Sequence, residues 1–276
     1  MSCHAQSVST VQVQTISFKS NLVGATLPYI VVLPAGYQER SAGTQASYPV
    51  LYLLHGLGGR YDNWTSKTKL KEYAAQYQMI IVTPEGNDGW YTDSATVATD
   101  KYETYIMEEL IPDVERRFRA AKGREGRAIA GLSMGGYGAL KFAVKYPDRF
   151  VFAASISGAL DPAERSDANQ GFAWGFLRSS VLKTFGPDNS ATRASNNLHK
   201  IFRELASERI RALPYIYLDC GTEDGFFATN HDLASILLER KIPHEYRQLP
   251  GKHDWVYWDQ QLREVLKLAA QEMAKH

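Results

Sequence analysis

The stretch that decides the fold is GRAIAGLSMGGYGALKFAVKY, residues 126–146. It opens apolar and β-branched, packs four glycines and one serine into residues 131–138, and then turns helical. Glycine inside a regular element costs about 0.5–1 kcal/mol relative to alanine, so a cluster around Ser133 needs a reason. Gly131-Leu132-Ser133-Met134-Gly135 has the G-x-S-x-G spacing of a serine held on a sharp strand-to-helix turn. Glycines two residues either side lack the Cβ atoms that would collide across such a turn. Gly136 and Gly138 let the following helix approach a sheet. The free amides of that helix N-terminus face any negative charge developing beside the serine.

The surrounding chain fits this turn into a larger pattern. TVQVQTISFKS (10–20) alternates apolar and polar residues, and TLPYIVVLPAGY (26–37) is a second β-like run. YPVLYLLHGLGG (48–59) is a continuous apolar run ending in glycines, the pattern of a strand buried on both faces. A helix is expected over 64–77 and a buried strand in MIIVTPEG (79–86). The segment 101–118 carries apolar residues at Tyr102, Ile106, Leu110, Val114 and Phe118, an i, i+4 stripe that Pro112 should kink or divide. Further strands are expected at 150–157, 215–221 and 244–250, with helices near 227–240 and 255–274. Such alternation defines an α/β fold with a mostly parallel central sheet and helices on both faces. No linker-like tract divides the chain, so it reads as one domain over 1–276. Residues 158–195 are rich in turn formers, with a short helix expected at 174–184. They read as a small cap or insertion at one end of the sheet, carrying Phe172, Trp174 and Phe176.

A serine hydroxyl needs a base, and the base needs an orienting acid. In this fold the order along the chain is serine, acid, histidine. His253 in QLPGKHDWVYW follows the last strand, where a base can reach back over Ser133. His4 and His276 are terminal; His199, His231 and His244 lie in helical or strand contexts. The acid should follow the preceding strand, and YLDCGTEDGFF offers Asp219, Glu223 and Asp224. Asp219 falls inside the strand, where it would brace the loop. Asp224 sits past the tip and is the choice, with Glu223 the alternative. HGLGG (55–59) follows a buried strand, and its glycines let the backbone approach a carbonyl. The backbone amides of Leu57 and Met134 are the expected pair of oxyanion donors. His55, at the end of a core strand and ahead of Ser133, reads as structural.

Composition narrows the remaining classes. The 276 residues are 22% charged and 44% hydrophobic with a net charge of +1, an ordinary globular balance. No basic stripe with interleaved aromatics is present, which argues against nucleic acid, and no apolar run is long enough for a membrane-spanning helix. Two cysteines, Cys3 and Cys220, make a disulfide conceivable but do not indicate one, and no Cys/His pair has zinc-site spacing. No metal site and no cofactor are expected. The first residues lack a charged segment followed by an apolar one, which weighs toward a cytoplasmic protein; a removed leader would look the same. Homo-oligomerisation is left open.

Taken together, HGLGGRYDNW, GWYTDS, GLSMGGYGAL, CGTEDGFF and GKHDWVYW resemble the esterase D family of α/β-hydrolases. That group includes carboxylesterases, tributyrin esterases and feruloyl or acetyl-xylan esterases. The resemblance runs from about residue 12 to 270 and implies an α/β-hydrolase fold with Ser133, Asp224 and His253 as catalytic triad. It implies a serine carboxylesterase that hydrolyses short acyl or aromatic esters through an acyl-enzyme and needs no cofactor. S-formylglutathione hydrolases of the family typically lack the His-Gly-x-Gly-Gly loop present here, which places the chain nearer the general esterase branch. A thioesterase of that kind, or an acyltransferase using the same triad, is the alternative. A noncatalytic binding protein ranks last, because such proteins usually lose a triad member and none is lost here. Trp64, Trp90, Tyr91, Trp174, Trp255 and Trp258 lie in or beside the predicted site loops, where each could line an apolar pocket or pack in the core.

Overall fold

The computed structural model describes residues 10–37 and 47–275. Cys3, His4 and His276 lie outside the described residues. The half-exposed β1 (Gln12–Ile16) is followed by the buried strands β2 (Tyr29–Leu33) and β3 (Val50–Leu54). Helices α1 (Asn63–Lys67) and α2 (Leu70–Ala74) lead to β4 (Ile80–Pro84). A helical run comprises α3 (Tyr102–Thr104), a π-helical turn (Tyr105–Leu110) and α4 (Ile111–Arg117). Then come β5 (Arg127–Leu132), α5 (Met134–Lys145) and β6 (Phe152–Ile156). Four helices follow: α6 (Trp174–Phe185), α7 (Ala191–Asn196), α8 (Leu198–Glu204) and α9 (Ser207–Ile210). The chain closes with β7 (Tyr215–Gly221), α10 (Phe227–Glu239), β8 (His244–Leu249) and α11 (Trp255–Met273).

One local expectation is modified. The single helix expected over 64–77 is two helices, because Thr68 is extended between them and its hydroxyl accepts the Leu70 amide. Asp259 of α11 takes the Lys69 amide at 2.7 Å and fixes the break. Pro112 divides its helical run as expected, standing second in α4 directly after the π-helical turn. The π-helical turn just before it widens the coil by one residue per bond, which accommodates a residue with no N–H to give.

The strands form one eight-stranded sheet in the order β1-β2-β4-β3-β5-β6-β7-β8. β1–β2 and β2–β4 pair antiparallel, and every other neighbouring pair is parallel. Alternation along β3 shows why its run is apolar throughout. Val50, Tyr52 and Leu54 face one core with Tyr137, Leu140 and Phe142 of α5. Leu51 and Leu53 face the other with Leu262, Val265 and Leu266 of α11. Each such side chain contributes about 1.5–3 kcal/mol when fully buried. The parallel strands all end at one edge of the sheet. That edge gathers the loops after β3, β5, β7 and β8, the position where open α/β sheets bind ligands.

Between β6 and α6, residues 157–173 form neither helix nor strand. Arg165 organises this stretch, with Nε donating to Asp161 Oδ1 at 2.9 Å and Nη1 to the Gln170 carbonyl at 2.9 Å. Among the described residues no helix is long and apolar enough to cross a membrane. Cys220 is buried without a disulfide partner among them.

Candidate active site

Ser133 is the single residue between β5 and α5, with φ 53° and ψ −118°. This left-handed backbone costs a non-glycine residue about 1–3 kcal/mol. The flanking glycines make it attainable. A Cβ on Gly131 would lie 2.4 Å from the Gly135 carbonyl carbon, and one on Gly135 would lie 2.5 Å from the Leu54 carbonyl oxygen. Substitution at either would force backbone apart. The strained turn is secured by the Ser133 amide donating to the Ile156 carbonyl at 3.0 Å.

His253 and Asp224 arrive from the loops after β8 and β7. His253 Nε2 is 3.0 Å from Ser133 Oγ, and its Nδ1 is 2.8 Å from Asp224 Oδ2. Because Nδ1 faces a carboxylate, it carries the proton, which leaves Nε2 free to accept the serine proton. The second Asp224 oxygen accepts the Phe226 amide at 2.8 Å, so the fully buried carboxylate cannot rotate away. The imidazole is fixed by Phe226, with ring centres 5.0 Å apart, and by the edge of Trp258 at 4.9 Å. The other two carboxylates are elsewhere. Glu223 is exposed with Lys252 at 3.7 Å. Asp219 is buried within β7, and burial pushes its carboxyl up to about 7.

The turn after β3 has one peptide whose direction is dictated. The Gly56 carbonyl accepts from the Gly59 amide at 3.0 Å and from His55 Nδ1 at 2.8 Å. A trans peptide sends its N–H opposite to its C=O, so these two bonds aim the Leu57 amide away from them. Leu57 lines the same cavity as Ser133. Met134 is the first residue of α5, and its amide has no carbonyl acceptor within the helix. His55 holds this turn from behind. It is buried, its Nε2 lies 3.1 Å from Glu85 Oε1, and Glu85 also accepts the Asn87 amide at 2.9 Å. Burial alone would raise the Glu85 carboxyl; the His55 hydrogen bond and charge, with the Asn87 and Tyr61 amides, outweigh it and hold it below the usual carboxylate value. Tyr91 donates its hydroxyl to the His55 carbonyl at 3.0 Å. The Tyr91 carbonyl is in turn gripped by Lys141, which pairs with Glu103 at 2.7 Å in the core.

A cavity of about 420 Å³ opens beside Ser133 and His253, walled by Leu57, Phe172, Phe176, Phe226, Trp255 and Trp258. Of the aromatics expected in the pocket, Trp255 and Trp258 line it. Trp64, Trp90, Tyr91 and Trp174 do not, and each is held elsewhere by its polar atom. Trp64 donates to the Leu54 carbonyl at 3.1 Å, behind Trp255. Trp90 donates to Ser180 Oγ at 3.0 Å and packs on Tyr137 and Phe185. Tyr91 braces His55, and Trp174 donates to Asp167 Oδ1 at 3.2 Å. Phe226 was not singled out from sequence; its position two residues after Asp224 was the available signal. No group of three or more His, Cys, Asp or Glu side chains suited to a metal occurs among the described residues.

Sheet order, strained serine and hydrogen-bonded Asp–His–Ser series define a serine hydrolase of the α/β-hydrolase class. The chain belongs to the family described as putative esterase, whose model matches residues 20–268. It is 26% identical to the acetyl esterase of Caldicellulosiruptor saccharolyticus over 90% of this chain and 94% of that one. It is 34% identical to the esterase Rv1288 of Mycobacterium tuberculosis over 86% of this chain, and spans 54% of that longer protein. Its fold is similar to that of the fluorophosphonate-binding serine hydrolase F of Staphylococcus aureus. The TM-score is 0.78 at 25% identity, over 95% of this chain and 99% of that one.

Proposed function

We propose that the protein is a serine carboxylesterase in which Ser133 is the nucleophile, His253 the general base and acid, and Asp224 the orienting carboxylate. The single observation that carries this is His253 bridging Ser133 Oγ at 3.0 Å and Asp224 Oδ2 at 2.8 Å. His253 takes the Ser133 proton as Oγ attacks the ester carbonyl carbon. The Leu57 and Met134 amides receive the oxyanion of the tetrahedral intermediate. Collapse breaks the ester C–O bond, and His253 returns the proton to the leaving alcohol. A water deprotonated by His253 then attacks the acyl-enzyme and releases the carboxylic acid.

The cavity supports a compact acyl group, short aliphatic or aromatic, because Phe172, Phe176, Phe226, Trp255 and Trp258 with Leu57 give it apolar walls and its volume is at the low end of small-molecule sites. Residues 158–195 act as a small cap through Phe172 and Phe176. The test is a rate panel of p-nitrophenyl esters of rising acyl length, with methyl ferulate and S-formylglutathione alongside. Carboxylic esters should dominate, and Ser133→Ala should abolish turnover while the fold is kept. Preference for the thioester, or product appearing only with an added acceptor alcohol, would overturn the assignment.

A further inference from the structure

We propose that Asp219 is a positioning residue for His253: its buried carboxyl, set between the phenols of Tyr217 and Tyr257, holds the first turn of α11 and the loop in front of it, and its charge state sets how firmly. The proposal rests on the reading of His253 as the general base.

Asp219 lies in β7 on the sheet face covered by α11, the face that also buries Tyr217 and Tyr257. Both phenol hydroxyls face its carboxyl. By standard hydrogen-bond geometry none of these four buried oxygens has a partner, so both phenols stand beside the carboxyl without closing on it. A carboxyl on an internal strand would ordinarily have a cation. Arg247, opposite Asp219 in the β7–β8 register, directs its guanidinium instead to Glu245 at 2.5 Å and Glu264 at 3.0 Å. Among the described residues the two phenols are therefore the polar groups set against this side chain.

Tyr257 carries that contact to His253. Its ring packs so closely on Gly251 that a Cβ there would lie 2.2 Å from Cδ2, and Gly251 has φ +155°. Its amide donates to Asp254 Oδ1 at 3.0 Å. The Thr222 amide to the Leu249 carbonyl at 2.8 Å, and the Glu223 amide to the Gly251 carbonyl at 2.9 Å, tie the same loop to the end of β7. His253 lies between Gly251 and Asp254, with the Trp258 ring edge against its imidazole. A shift of Tyr257 moves Gly251, Asp254 and Trp258 together, and so moves Nε2 relative to Ser133.

The carboxyl also stands well above the usual carboxylate range. Burial is the largest influence and raises it. Tyr257 and Tyr217 lower it, Arg247 on β8 lowers it, and Asp224 in the next loop raises it, leaving it at about 7. Cys220, its neighbour on β7, is a thiol that burial keeps protonated. Once ionised, the carboxylate draws both phenols into charge-assisted bonds, roughly twice as strong as those of the neutral acid. The grip therefore tightens as pH rises through about 7.

The experiment measures kcat, KM and Tm on p-nitrophenyl acetate across pH for the wild type, Asp219→Asn, Tyr257→Phe and Ser133→Ala. Loss of one hydrogen bond to a charged group predicts kcat about tenfold lower for Asp219→Asn near about pH 8.5, within about twofold of wild type near about pH 6, with KM unchanged. Tm at the higher pH should rise, because a buried charge whose desolvation the phenols offset only in part has been removed. Tyr257→Phe should lose the same alkaline gain. A wild-type-shaped kcat profile in Asp219→Asn, or an equal loss at both pH values with a lower Tm, overturns the proposal. If Asp219→Asn fails to fold, the profile of Tyr257→Phe decides alone, and a wild-type shape overturns it. Ser133→Ala that still hydrolyses the ester would overturn the underlying assignment instead.

Discussion

Replacing His55 by leucine should slow the enzyme without weakening substrate binding. Two hydrogen bonds fix the direction of the Gly56–Leu57 peptide, from the Gly59 amide at 3.0 Å and His55 Nδ1 at 2.8 Å. His55→Leu removes the second. Complete loss of an oxyanion donor costs about 10²–10³ in kcat, or about 2.7–4 kcal/mol. The Gly59 bond survives, so the loss should fall short of that. A single hydrogen bond is worth up to about 1.5 kcal/mol, or about tenfold in rate, which sets the lower limit. We expect kcat to fall about tenfold to a hundredfold. KM should hold, since the ground-state carbonyl carries no full negative charge. The variant also strips Glu85 of the His55 ring nitrogen 3.1 Å away in the core, which should cost about 1–3 kcal/mol of stability. Steady-state kinetics on His55→Leu and on His55→Leu/Glu85→Gln, with melting curves for both, separate these effects. The double variant should regain stability and stay slow. A stable His55→Leu with kcat within about threefold of wild type would refute the assignment of the Leu57 amide as a directed donor. So would recovery of kcat together with stability in the double variant.

Asp224→Asn should fold and lose about 10⁴ in kcat through the wrong imidazole tautomer, whereas Glu223→Gln should stay near wild type; the reverse outcome would move the acid. Phe176→Ala should change the kcat/KM ratio between short and aromatic esters by about 1–3 kcal/mol, while Trp174→Ala should lower all esters together along with Tm. Stability should respond to pH through Asp219, whose folded value of about 7 stands above its unfolded one. Its contribution is complete below about pH 4 and is lost as pH rises through about 7, a difference on the order of 4 kcal/mol. Denaturant melts of wild type against Asp219→Asn should diverge across that window, and parallel curves would count against the raised carboxyl.

The sequence by itself determined what depends on local backbone geometry and chain order. Ser133 was legible because a strained turn demands glycine at fixed offsets, and Gly131 and Gly135 stand where a Cβ would strike backbone. The sheet was legible because strands buried on both faces must be apolar throughout, as β3, β4 and β5 are. His253 and Asp224 followed from order, since the loops after β7 and β8 meet at one edge. Tertiary structure alone decided which aromatics reach the site. Trp174 and Phe176 are two residues apart, about 200° around a helix, so only one can face Ser133, and the sequence does not say which. Trp64 and Trp90 share the composition of pocket walls, yet each finds a buried acceptor for its indole N–H elsewhere. The role of Asp219 was equally hidden: Tyr257 and Asp219 are 38 positions apart in the sequence, and only the packing of α11 on β7 brings phenol and carboxyl together.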